Sequence, residues 1–246
     1  FTGLPDFLKT GTRSSAAGFF LSARWMIVSQ LDHIGIQMII LPDRDSAEYC
    51  AADLYHLIEG DRVYFLPDSG KNLERSNYKS SLGVQRTSAI GKILEYKEGE
   101  QVVIVTYPSA LEEVIPEKGR ISGSLLKLTV GEERSYEDIK EILFSSGFER
   151  VDFVSEPGQF AVRGALIDIF SYSFNNPFRI SFFFFFIESI NIFDANTQLS
   201  KEKVDHVDIY PDLSSFENSE GAMVTDILQE DTIVWLDSSD MYKDKS

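Results

Sequence analysis

Residues 148–170 read Phe148-Glu149-Arg150-Val151-Asp152-Phe153-Val154-Ser155-Glu156-Pro157-Gly158-Gln159-Phe160-Ala161-Val162-Arg163-Gly164-Ala165-Leu166-Ile167-Asp168-Ile169-Phe170. Aromatic and β-branched residues dominate this stretch, and Pro157-Gly158 and Arg163-Gly164 punctuate it. Such a pattern predicts short strands joined by tight turns. Residues 159–163 and 166–170 read as a strand pair turning at Arg163-Gly164, with side chains alternating between two faces. The same character runs on to Phe193, with Asn175-Asn176-Pro177 as a further turn. This predicts antiparallel hairpins over residues 148–193.

Upstream, the rhythm is different. Residues 37–41 form a short apolar run stopped by Pro42, and 63–66 another, ended by Pro67-Asp68. Residues 101–106 (Gln-Val-Val-Ile-Val-Thr) are the clearest buried strand. Helical spacing appears between them: Ala16, Phe19, Phe20, Ala23, Ile27 and Leu31; then Ala47, Cys50, Ala51, Leu54 and Ile58, with Asp45 or Ser46 as cap; then 87–94. Residues 69–85 are polar and read as a surface loop. Strand and helix in alternation predict a parallel sheet flanked by helices. Ser135 begins a later helix, with Asp138 three residues on and Gly147 as its stop. Residues 232–236, after a linker at 214–218, form one more apolar strand that could return to the first sheet. The expected fold is therefore α/β, with a β-rich α+β domain inserted into it. Residues 1–122 form the first α/β part, 123–210 the insertion, and 211–246 the return segment.

Charge and chemistry narrow the function. Net charge is −16, distributed as −3 over 1–122, −6 over 123–210 and −7 over 211–246. Duplex DNA binding draws on a surplus of Lys and Arg, so strong autonomous DNA binding is not expected. No apolar run approaches the roughly 18–20 residues of a membrane span, and no signal peptide is visible. Cys50 is the single cysteine, and the usage fits a reducing cytoplasm. His33, His56 and His206 show no metal-ligand spacing, so no metal site is expected. The chain starts without Met and is expected to be a piece of something longer.

A nucleotide-hydrolysing domain needs a glycine-rich loop ending in Gly-Lys-Ser/Thr. Gly11-Thr12-Arg13-Ser14-Ser15 is the nearest candidate. It lacks the second glycine and the lysine, which arginine does not replace. A Ser/Thr helix cap is the plainer reading, so the loop is expected to be degenerate and non-functional. Ser109 follows Tyr107-Pro108 at a strand end, without a histidine to activate it. No catalytic residue is assigned.

Residues 148–170 resemble the second domain of the nucleotide excision repair protein UvrB. They are still more similar to the matching domain of the Mfd family, the bacterial transcription-repair coupling factors. The shared pattern is aromatic-Glu-Arg at Phe148-Glu149-Arg150, Pro-Gly-x-Phe-x-Val-Arg-Gly at 157–164, and an Ile-Asp-Ile-Phe strand at 167–170. Arg179-Ile180-Ser181-Phe182-Phe183, Phe193-Asp194-Ala195-Asn196-Thr197-Gln198, 106–111 and 126–131 extend it. The resemblance implies a helicase-like domain, with a degenerate P-loop, around an inserted domain that recruits UvrA. In that family the docking face is masked until the factor engages stalled RNA polymerase. It implies no enzymatic activity and no cofactor here. ATP, magnesium, DNA and RNA polymerase are expected to engage parts of the full-length family outside this region.

The alternatives are a nucleotide-binding helicase-type enzyme domain and a direct DNA-binding domain. Arg150, Phe160, Arg163, Gly164 and Arg179 are the expected UvrA-binding residues. Arginine suits bidentate pairing with carboxylates, and Phe160 is read as an aromatic anchor. Against that, the arginines could pair inside the domain with Glu149, Asp152 and Glu188. Two positions depart from the pattern: Ser181 stands where relatives often carry an acid, and Ala161 where UvrB carries an arginine. Phe182 to Phe186 also replace Phe-Phe-Gly-Asp-Glu, although Gly-Asp would suit a tight turn with positive φ.

Overall fold

The computed structural model describes residues 35–70, 77–214 and 221–237. The candidate loop at Gly11, Thr12, Arg13 and Ser14, and the helix expected at 16–31, lie outside the described residues.

The first unit is built from β1 (Gly35–Ile40), α1 (Arg44–Leu57), β2 (Val63–Leu66), α2 (Asn77–Leu94) and β3 (Gln101–Thr106). Its four-stranded sheet has the order β12-β1-β3-β2, and every pairing is parallel; β12 is Ile233–Leu236. β1 and β3 are apolar almost throughout because both faces are covered. Ile39, Val103 and Val105 pack with Ala47, Cys50 and Leu54 of α1, while Met38, Val102 and Ile104 pack with Ala89, Ile90 and Ile93 of α2.

Two local readings need correction. The cap of α1 is Asp43, whose carboxylate accepts the amide of Ser46 at 2.8 Å, not Asp45 or Ser46. An aspartate there can be turn and cap at once. Helix α2 also begins at Asn77, so the last part of the expected 69–85 loop is helical. The buried face of α2 runs through Leu82, Arg86, Thr87, Ala89, Ile90 and Ile93. Two of those six are polar, which breaks the apolar periodicity that marks a helix.

The chain then passes through α3 (Pro108–Leu111) and α4 (Lys118–Ser124) into β4 (Leu126–Thr129) and α5 (Tyr136–Ser145). Ser135 caps α5, accepting the Asp138 amide, and Gly147 ends it with φ +81°. Six strands follow: β5 (Glu149–Arg150), β6 (Gln159–Arg163), β7 (Leu166–Ile169), β8 (Phe178–Phe183), β9 (Phe186–Phe193) and β10 (Ser200–Val204). They form one sheet in the order β10-β9-β8-β7-β6-β5. It is antiparallel except at the β5–β6 edge, which pairs in parallel. β11 (His206–Ile209) pairs with β4, so the chain leaves this region beside its point of entry. One face of the six-stranded sheet packs on α5: Phe160, Ile167, Ile169, Ile180 and Ile190 share a core with Ile139 and Leu143. No helix packs on the other face among the described residues, and a loop covers part of it through the small buried cluster of Val154, Ala161, Phe170 and Phe193.

Helix α2 joins the two units. The buried Tyr210 lays its ring against Gly91, where a Cβ would stand 3.4 Å from it. Its hydroxyl donates to Glu95 Oε1 at 2.7 Å, and the Leu213 amide donates to Thr87 Oγ1 at 3.0 Å. Burial pushes both the Glu95 carboxyl and the Tyr210 hydroxyl up from their ordinary values.

The phenylalanine run makes the β8–β9 turn. Phe182 faces the core, whereas Phe183 to Phe186 are exposed. Phe184 takes φ +55° and is 79% exposed. A left-handed non-glycine residue costs about 1–2 kcal/mol, against about 0.5–1 kcal/mol of extra chain entropy for glycine. Phe184→Gly is therefore expected to raise stability by up to about 1 kcal/mol and to reduce self-association. Thermal unfolding and sedimentation check this; an unchanged or lower midpoint would show that the turn is unstrained.

Candidate functional site

The open face of the six-stranded sheet is organised by one carboxylate. Asp168 lies in β7 between Ile167 and Ile169, which both point into the core. Strand alternation turns Asp168 to the opposite face, yet its side chain is 0% exposed. Arg179, directly opposite on β8, covers it as a fork: Nε donates to Oδ1 at 2.7 Å and Nη2 to Oδ2 at 2.8 Å. Arg163, diagonal to it on β6, donates from Nη2 to Oδ2. Ala161 is the β6 residue directly opposite Asp168.

The two arginines are used differently. Arg179 also donates to Gln198, from Nη1 to the main-chain oxygen at 3.4 Å and from Nη2 to Oε1 at 3.3 Å. Its guanidinium carbon lies 4.4 Å from the centre of the buried Phe193 ring. The hydrogen bond to Asp168 pushes its guanidinium further up from the ordinary value. Four of its five N–H donors are thus engaged inside the domain, and its side chain is 20% exposed. Arg163 gives Asp168 a single hydrogen bond, is 34% exposed and lies over the ring of Phe153 at 5.0 Å. Most of its donors are therefore open to a partner.

The other expected residues fall elsewhere. Gly164 starts the β6–β7 turn with φ +59° and positions Arg163 through the hairpin. Phe160 is fully buried in the α5-facing core, edge-to-face with Phe144, so it supports the sheet from beneath and presents no surface anchor. Arg150 is paired in register with Phe160 and so lies at the sheet edge on the side away from Arg163. The structure brings Arg163 and Arg179 together and leaves Arg150 apart. Nor do Glu149, Asp152 and Glu188 neutralise the pair; Asp168 does. Ser181 and Phe183 follow Arg179 on the open side by alternation, and Phe183 is exposed.

The carboxyl ends of the parallel strands are the usual ligand crevice of such sheets. Here Arg44 pairs with Asp68 and donates from Nε to the Tyr107 hydroxyl at 2.9 Å. Ser109 donates to Asp68 at 3.3 Å. The buried Arg86 donates to the Pro67 and Ala110 carbonyls at 2.7 and 3.1 Å and pairs with Glu113, which accepts the Ser69 amide and hydroxyl at 2.8 Å each. Burial holds Arg86 below its ordinary value. Among the described residues no group of three or more His, Cys, Asp and Glu could hold a metal ion, and no helix is long and apolar enough to cross a membrane.

Residues 126–214 match the family described as "UvrB interaction domain". This span holds the whole Asp168 cluster. The chain is 29% identical to the transcription-repair-coupling factor of Bacillus subtilis over 212 residues, covering 85% of this chain and 18% of that protein. For the Escherichia coli factor the identity is 33% over 110 residues, 45% of this chain and 10% of that protein. For the Mycobacterium tuberculosis factor it is 28% over 191 residues, 75% and 15%. The chain is a relative of the transcription-repair coupling factors. It spans less than a fifth of the length of these three relatives.

Within residues 126–214 the two arginines should differ in their contribution to stability. Removing one partner of a buried charge costs about 3–5 kcal/mol, whereas an exposed ion pair contributes about 0–1 kcal/mol. Arg179→Ala is expected to cost about 3 kcal/mol and Arg163→Ala about 1 kcal/mol or less, because Asp168 keeps its fork to Arg179. Urea unfolding of both variants measures this; equal losses would contradict the division of roles.

Proposed function

We propose that the chain is a non-catalytic docking module of a transcription-repair coupling factor, and that the open face of residues 159–183 recruits UvrA during nucleotide excision repair. One observation carries this reading: Arg163 stands on a buried carboxylate, gives it a single hydrogen bond and keeps 34% of its side chain exposed. A fixed guanidinium is suited to a carboxylate on a partner, and arginine is enriched among residues that dominate interface energy. Arg179 and Gly164 hold this arrangement, and Phe183 offers an apolar contact on the same side. The family match over 126–214 and the resemblance of Arg163-Gly164, Ile167-Asp168-Ile169 and Arg179-Ile180 to the coupling factors support the same partner.

The parallel unit fits, in this reading, a helicase-like domain whose phosphate loop at Gly11, Thr12, Arg13 and Ser14 has lost nucleotide binding. Its two pieces correspond to the UvrB-like parts expected at 1–122 and 211–246, with the docking domain at 123–210. The internal pairing of Arg44, Asp68, Arg86 and Glu113 at the strand ends supports a structural use of that edge. RNA polymerase, DNA, ATP and magnesium belong to the full-length factor, acting in the cytoplasm, and the surplus of 39 acidic over 23 basic residues argues against a DNA-binding role for this chain itself.

Binding of purified UvrA to the chain and to Arg163→Ala tests the reading. A loss of about tenfold or more is expected for a centrally placed arginine; unchanged affinity would refute docking through this face. Calorimetric titration with ATP and magnesium is expected to show no binding, and a saturable heat would instead favour the nucleotide-binding alternative.

A further inference from the structure

We propose that Phe153 is a positioning residue for the docking face, an aromatic plate that sets the plane of the Arg163 guanidinium for a partner carboxylate. The inference rests on the docking reading above and assigns a role to a residue outside the shared sequence pattern. Phe153 is 64% exposed, although it belongs to a loop that is otherwise tied down. Its neighbour Val154 is fully buried in a small cluster with Ala161, Phe170 and Phe193. Gln159 Oε1 accepts the amides of Ser155 and Glu156 at 2.9 and 3.0 Å and the Ser155 hydroxyl at 3.2 Å. Gln198 Nε2 donates to the Val154 carbonyl at 3.3 Å, while Gln198 also receives Arg179. On the other side of Phe153 the Val151 amide donates to the Phe160 carbonyl at 2.9 Å, so the loop is anchored before and after Phe153 and its one outward aromatic ring is held beside Arg163.

The guanidinium carbon lies 5.0 Å from the Phe153 ring centre. That is within the range of cation–π attraction. Arg163 is then held by two contacts of different kind: Asp168 holds one nitrogen, and the Phe153 ring lies beneath the guanidinium carbon. A long arginine side chain otherwise loses rotamer freedom when a partner captures it, which weakens binding. A ring that orders the guanidinium beforehand removes part of that loss. The geometry suits a carboxylate approaching the outer edge of Arg163, with an apolar collar that covers the exposed part of the ring.

The experiment measures UvrA affinity and thermal midpoint for the full 246-residue chain, with Phe153→Leu, Phe153→Trp and Arg163→Ala in parallel. Phe153→Leu is expected to weaken UvrA binding about fivefold with an unchanged midpoint, and Phe153→Trp to retain wild-type affinity. If Arg163→Ala weakens binding while Phe153→Leu does not, the positioning role is overturned and the docking reading stands. Equal losses in the Leu and Trp variants overturn it too, by assigning the effect to loop shape. If Arg163→Ala itself binds normally, the docking reading fails, and the role of Phe153 with it.

Discussion

The open face of the insertion depends on the Asp168 carboxylate. A charge with no exposed surface persists only when it is paired and hydrogen-bonded. Arg179 supplies a two-bond fork and Arg163 a third hydrogen bond. Each cation is drawn from a different strand, so the pairing of β6, β7 and β8 is fixed by electrostatics as well as by the ladder. A one-residue slip would turn Asp168 into the core and Ile167 or Ile169 to solvent. The same carboxylate that fixes register also fixes where the arginines stand.

The two arginines share one acceptor but not one role. Arg179 is nearly saturated by Asp168 and Gln198 and lies on Phe193, so it behaves as part of the frame. Arg163 has one internal bond, a neighbouring exposed ring and a partly exposed side chain. A frame that is complete without the partner presents Arg163 in a fixed position before any partner arrives, which favours specificity through preorganisation. The turn at Gly164 contributes through its positive φ, since a side chain there would meet only open space. The packing of the buried Tyr210 on Gly91, with its hydrogen bond to Glu95 at the surface, then joins this domain to the parallel unit.

Much of this was legible in the residues. Apolar runs broken by helical spacing pointed to a parallel sheet, and Pro-Gly and Arg-Gly pairs marked the hairpins of the insertion. Strand alternation separates side chains into two sets but does not say which set meets the core. That is why Phe160 read as an anchor and proved to be a core ring under Phe144. For the same reason Arg150 and Arg163 look equivalent in sequence, although the two lie on opposite sides of the sheet. The partner of Arg179 was hidden because β7 and β8 are joined through an eight-residue connection, residues 170–177, and their register is a tertiary outcome. The sign that could have found it was Asp168 itself, a charged residue inside an otherwise apolar strand. Helix α2 extends beyond its apolar spacing for a related reason: its buried arginine and threonine break the pattern by which a helix is recognised.

The central claim is that UvrA meets the Asp168 face. Hydrogen exchange of the chain, alone and with saturating UvrA, tests it most directly. The account predicts slowed exchange at the Gly164–Ala165 turn and in the 152–155 loop, with α5 (Tyr136–Ser145) unchanged. Protection confined to α5 and the Arg150 edge, with the turn and loop unaffected, would contradict it.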